Sequence, residues 1–172
     1  DVISPIARHI AENHNEKVVG VIGTKATVNS KSYPKAFLKA GAANEIKELA
    51  TPLLAPMIEE GFVHDEISRA VIERYLKRSE LSDIELLVLG CTHYPIIASD
   101  VHAVADEVEI IDPPRVVAEM VKEQLSANGL LSESEVGVQH FFVSDLTEAF
   151  AKNTRIFFGE DARLEEVRLW DK

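Results

Sequence analysis

The 172 residues hold one cysteine, Cys91, and a histidine follows it two positions later. A thiol acts as nucleophile or base only as thiolate, and a nearby imidazole can serve it as acid, base or electrostatic partner. The run around it is Leu86-Leu87-Val88-Leu89-Gly90-Cys91-Thr92-His93-Tyr94-Pro95. Four consecutive aliphatic residues predict a strand buried on both faces, as inside a parallel sheet. Gly90 lets the backbone leave that strand, and Tyr94-Pro95 closes the turn into a helix expected from Ile96. Ligands of open α/β sheets bind beyond the carboxyl ends of the strands, which is where Cys91 falls. Taken alone, a single cysteine behind an apolar run also fits a small buried hydrophobe.

Other elements must position this turn. Residues 18–23 predict a first buried strand running into a hydroxyl-rich loop, residues 24–30. There Thr24 and Thr27 could hold a carboxylate through hydroxyls and backbone N–H groups, or simply cap the helix expected around residues 33–39. Residues 45–50 alternate like a strand. Residues 51–61 read as a loop with one helical turn, and by residue type alone Glu59 and Glu60 are a solvated acidic turn. An amphipathic helix is expected over 64–78 with Ile67, Val71 and Tyr75 on its core stripe. Another is expected over 3–13, with Ser4 as N-cap and Pro5 at its first position. After a strand at 108–111, Asp112 should cap a long helix whose stripe is Val116, Val117, Met120, Val121 and Leu125, ended by Gly129. Beyond it the pattern predicts a strand at 137–143, a Ser144-capped helix at 145–152, a short strand at 155–158 and an edge strand at 164–170. Strand–helix alternation throughout predicts α/β layers with parallel sheets.

Composition narrows the function classes. A net charge of −11 argues against nucleic acid or an anionic membrane as partner. No apolar run approaches the roughly 20 residues of a membrane span. One cysteine excludes an internal disulfide framework and a cysteine-rich zinc site, and suits a reducing cytoplasm. The opening residues lack the basic region of a secretory signal and an initiator methionine, so a processed or incomplete segment is expected. No phosphate loop, dinucleotide fingerprint or metal-ligand spacing occurs. Nothing around Lys25 argues for the desolvation a Schiff-base lysine needs. Neither a metal nor a cofactor is expected.

The string Gly-Cys-Thr-His-Tyr-Pro behind Leu-Leu-Val-Leu resembles the second catalytic motif of the glutamate racemases, cofactor-independent enzymes that supply D-glutamate for peptidoglycan. Val21-Ile22-Gly23-Thr24, followed by Thr27-Val28, resembles the family loop whose two threonines face the substrate carboxylates. Pro56-Met57-Ile58-Glu59 is similar to a motif whose glutamate assists the active-site histidine, and Ile110-Ile111-Asp112 matches a family strand end. Three positions depart from the pattern: Thr51 stands for a usual cysteine, and Pro113-Pro114 for a usual Ser-Gly.

The resemblance implies Cys91, His93 and Glu59 as catalytic residues, and Thr92, His93, Thr24 and Thr27 as substrate-binding residues. It implies glutamate as the small-molecule partner in a bacterial cytoplasm, with a homodimer as one assembly open to it. The implied fold is α/β with two pseudo-symmetric parallel-sheet lobes, the first incomplete here. Residues 1–103 would be the second lobe and 104–172 the closing part of the first. Racemisation needs two bases on opposite faces of Cα, and the family uses two cysteines. With one cysteine, and without the family's opening Asp-Ser strand, the chain is expected to lack an N-terminal part and to be inactive alone. Three alternatives stay open. One is another racemase of the superfamily, although aspartate racemases usually carry an acidic residue at the position of His93. The others are a one-cysteine decarboxylase and a non-catalytic α/β binding module.

Overall fold

The computed structural model describes residues 1–132, 134, 137–159 and 162–168. The aliphatic runs form β1 (Val19–Gly23), β2 (Ile46–Ala50), β3 (Leu86–Gly90) and β4 (Glu109–Ile111), one parallel sheet in the order β2-β1-β3-β4. Alternation along β3 sends Leu86 and Val88 to one face and Leu87 and Leu89 to the other. On the first face they join Ile6 and Ile10 of α1 (Ser4–Asn13), Tyr33 and Phe37 of α3 (Ser32–Ala40), and Val116 of α7 (Pro113–Ala127). On the second they join Leu54 and Ile58 of α4 (Leu54–Glu59), Ile72 of α5 (Glu66–Leu76) and Val101 of α6 (Ala98–Val104). Helices on both faces are why the run has no polar alternation. Each such buried side chain stabilises the fold by about 1.5–3 kcal/mol.

The winding reverses at β1. Its neighbours are β2, next in sequence, and β3 on the opposite side, so a crevice opens between the carboxyl ends of β1 and β3. The register pairs Gly23 with Gly90, and Thr24 and Cys91 therefore leave adjacent strands at the same level. At Gly90 the close approach leaves no room for a side chain. A Cβ on Gly90 would lie 2.8 Å from the Ile22 carbonyl oxygen and 3.2 Å from Tyr33 Cε2.

Several helix ends differ from expectation. Ser4 is already helical, and Asp1 Oδ1 instead accepts the N–H groups of Ile3 and Ser4 at 2.9 and 2.7 Å. Part of the expected 24–30 loop is a helix, α2 (Lys25–Ser30), capped by Thr24, whose Oγ1 accepts Thr27 N–H at 3.2 Å. In α5 the expected stripe is rotated: Ile67 is 57% exposed and Ser68 is buried. Asp65 and Ser68 form a reciprocal capping box, and that exchange draws Ser68 inward. The chain after Cys91 makes a 3-10 turn, Tyr94–Ile97, before α6 begins. Asp112 caps α7 as expected, but the stripe is only partly used, since Val121 and Leu125 remain exposed.

The chain divides into compact units at 1–130 and 131–172. The first unit holds the whole four-stranded sheet and α7, so it runs past residue 103. Within the second, β5 (Phe141–Val143) and β6 (Leu164–Glu166) pair in parallel, joined by α8 (Glu148–Phe158). Parallel neighbours need a crossover, and α8 supplies it. That is why residues 155–158, expected as a strand, are helical; the expected strand over 137–143 shortens to the three residues that β6 pairs with. Thr147 caps α8 instead of Ser144, accepting Phe150 N–H at 3.1 Å. The end of the expected edge strand, residues 169–170, lies outside the described residues.

Candidate active site

Beyond Gly90 the backbone turns at once, with Tyr94 N–H donating to the Cys91 carbonyl at 3.1 Å. The turn brings His93 Nδ1 to 3.8 Å from Cys91 Sγ. On its other side, His93 Nε2 is 3.0 Å from Oε1 of Glu59, the last residue of α4. The three groups form a carboxylate–imidazole–thiol line. In the tautomer that donates Nε2–H to Glu59, Nδ1 faces the sulfur and can exchange a proton with it. Glu59 is half exposed, so its field on His93 is screened by water.

A groove of about 540 Å³ opens at Cys91, lined by Thr27, Tyr33, Gly90 and Thr92 and walled by apolar residues such as Ile6 of α1 and Val117 of α7. Thr27 and Thr92 thus lie along the groove that Cys91 lines. Thr24 does not line it. Its Oγ1 lies 2.9 Å from Thr27 Oγ1, a hydrogen bond in which either hydroxyl can donate. Lys25 is exposed on α2. Among the described residues no group of three or more His, Cys, Asp or Glu side chains could hold a metal ion.

The sequence profile of the family described as Asp/Glu/Hydantoin racemase matches residues 2–121. This chain belongs to that racemase family. Glutamate racemases of Chlorobaculum parvum and Geobacter metallireducens are 41% and 36% identical to it, over 88% and 92% of this chain. Those alignments cover 56% and 59% of the two relatives. The glutamate racemase of Francisella tularensis, solved with D-glutamate, superposes with a TM-score of 0.85 at 33% identity, over 97% of this chain and 62% of that one. The Thermus thermophilus enzyme, solved with beta-chloro-D-alanine, gives 0.82 at 33% identity over 98% and 62%. The α/β fold with its parallel sheet is that of these racemase structures. The chain spans less than two thirds of the length of these relatives.

Within this racemase fold, three buried hydroxyls near Cys91 have no signature in the sequence, because side-chain burial at a sheet end follows no periodicity. Thr51, where the family resemblance places a cysteine, lies fully buried with Oγ1 3.2 Å from the Gly23 carbonyl and 2.8 Å from the Tyr94 hydroxyl. Tyr94 in turn donates to the Thr51 carbonyl at 3.1 Å. Burial pushes the Tyr94 phenol up to about 12, with Cys91 and Tyr75 adding to the rise and the Thr51 hydrogen bond opposing it. Burial also pushes Tyr33 up to about 12, helped by Cys91.

Both shifts favour the neutral phenol in the native state. The unfolded chain releases these protons near pH 10 and the native chain near 12, so this stabilisation is complete below pH 10 and is lost as pH rises to about 12. The loss is on the order of 2 kcal/mol per tyrosine. In a Tyr75→Phe background, phenolate absorbance should rise together with loss of far-ultraviolet ellipticity. Titration of both remaining tyrosines near pH 10 in a folded chain would contradict the burial argument.

Proposed function

We propose that this chain carries one of the two proton-transfer faces of a glutamate racemase. The observation that carries the proposal is the Glu59–His93–Cys91 line at the crevice between β1 and β3. The Cys91 thiolate removes the Cα proton from one enantiomer, and the thiol returns a proton to the same face of the planar carbanion in the reverse direction. His93 and Glu59 tune how tightly the sulfur holds that proton. Thr27, Thr92 and His93 bind the substrate's polar groups, with Thr24 orienting Thr27. The opposite face needs a second acid–base group, and the single cysteine of this chain cannot be both. The reading calls for no pyridoxal phosphate, metal or nucleotide.

Relatives named glutamate racemase at 31–41% identity support glutamate over other amino acids. For the whole enzyme we keep the two-lobe arrangement, and a homodimer in a bacterial cytoplasm supplying D-glutamate for peptidoglycan. The acidic surface leaves nucleic acid outside its partners. The test is to incubate the full-length gene product with L-glutamate, and separately with D-glutamate, without added cofactor, and to follow circular dichroism. Both solutions should approach the same racemate. Release of carbon dioxide, preference for aspartate, or no amino-acid binding would replace this reading with one of the alternatives.

A further inference from the structure

Glu59 ends a helix of only six residues. So short a helix has little stability of its own, and the place of its last side chain depends on what grips the helix at each end. Before α4 the grip is Thr51, whose hydroxyl and carbonyl both meet the Tyr94 hydroxyl. After α4 it is Asp100 of α6. The Asp100 carboxylate is buried, with its side chain 4% exposed. Its Oδ2 accepts His64 N–H at 3.0 Å, lies 3.4 Å from Ser68 Oγ, and is 3.2 Å from His64 Nδ1. Arg69 Nε approaches Oδ1 at 3.7 Å. His64 needs such a hold, because its φ of +59° places an L side chain in the left-handed region. Tyr94 and Asp100 both belong to the segment that follows Cys91, so that segment grips both ends of the helix bearing Glu59.

We propose that the Tyr94–Thr51 and Asp100–His64 contacts are positioning pairs that hold Glu59 against His93 and thereby set the reactivity of Cys91. The proposal rests on the reading of Glu59, His93 and Cys91 as one proton-transfer line. Among the described residues, Tyr33 from α3 and Tyr94 from the 3-10 turn are ionisable groups that act on Cys91, and His64 and Arg69 face Asp100. Both phenols stay neutral through the range tested below.

Because the chain has one cysteine, iodoacetamide alkylation reads Cys91 alone. The experiment records alkylation rate against pH from 5 to 9.5 for the 172-residue chain and its Glu59→Gln, Asp100→Ala, Asp100→Asn and Tyr94→Phe variants, with a thermal melt of each. Asp100→Ala should move the profile in the same direction as Glu59→Gln, by about half to one pH unit, or about three- to tenfold in rate on the rising limb. Asp100→Asn, which keeps an acceptor for His64 N–H, should fall between Asp100→Ala and the parent. If Asp100→Ala melts too low to assay, Tyr94→Phe carries the test and should move the profile the same way. Variants that melt earlier but superimpose on the parent profile, while Glu59→Gln moves, would overturn the positioning role and leave the proton-transfer line standing. An unmoved Glu59→Gln profile would overturn both.

Discussion

Replacing Cys91 by serine in the full-length gene product should lower interconversion of L- and D-glutamate by about 10²–10⁴-fold, the span that general acid–base groups commonly supply. Serine keeps the shape of the side chain and its place beyond Gly90. What it loses is acidity, since an alcohol is a far weaker acid than a thiol and offers almost no anion at neutral pH. His93, 3.8 Å from the sulfur, could accept a proton from the serine hydroxyl, but the resulting alkoxide is too costly to be a useful base at Cα. The fold should be untouched, so the melting temperature serves as the control. Racemisation followed by circular dichroism within tenfold of the parent would remove Cys91 from the mechanism.

The 172-residue chain by itself should not racemise glutamate. It has one cysteine, and one group on one face can exchange the Cα proton of an enantiomer without inverting it. Holding a substrate between two bases, away from water, can be worth about 7–11 kcal/mol of barrier. The groove beside Cys91 draws its hydroxyl-bearing residues, Thr27, Tyr33 and Thr92, from the same unit as the thiol. The measurement is L-glutamate optical activity over hours, alone and with the complementary segment of a full-length glutamate racemase added in trans. In deuterated water, incorporation at Cα with retained configuration would fit a single working base. Turnover by the isolated chain at the 1–10³ s⁻¹ of ordinary enzymes would show that the two-base argument is wrong.

Which parts were readable in advance follows from what each depends on. β3 and the turn at Cys91 were legible because a doubly covered strand must be apolar at every position, and such a strand must end before polar residues begin. Asp112 capping α7, with Pro113 at its first position, was legible for a local reason. A carboxylate beside free N–H groups and a proline without one are chemical features of three neighbouring residues. Local rules misled where a competitor was equally near. Asp1 reaches the first N–H groups of α1 better than Ser4, and the need for a crossover made 155–158 helical despite its Phe-rich content.

By itself, then, the sequence determined the kind of layering, the thiol at a strand end, and the residue types able to serve it, since these rest on hydrophobic period and local chemistry. Tertiary structure alone decided the strand order and the Gly23–Gly90 register, and these bring Thr24 level with Cys91. It also placed Glu59 on His93, which stands 34 positions further along the sequence (93 − 59). Thr51 and Asp100 acquired their roles only there. A hydroxyl or a carboxylate reads as a surface group until packing removes its water, and only the folded chain shows which partners replace that water.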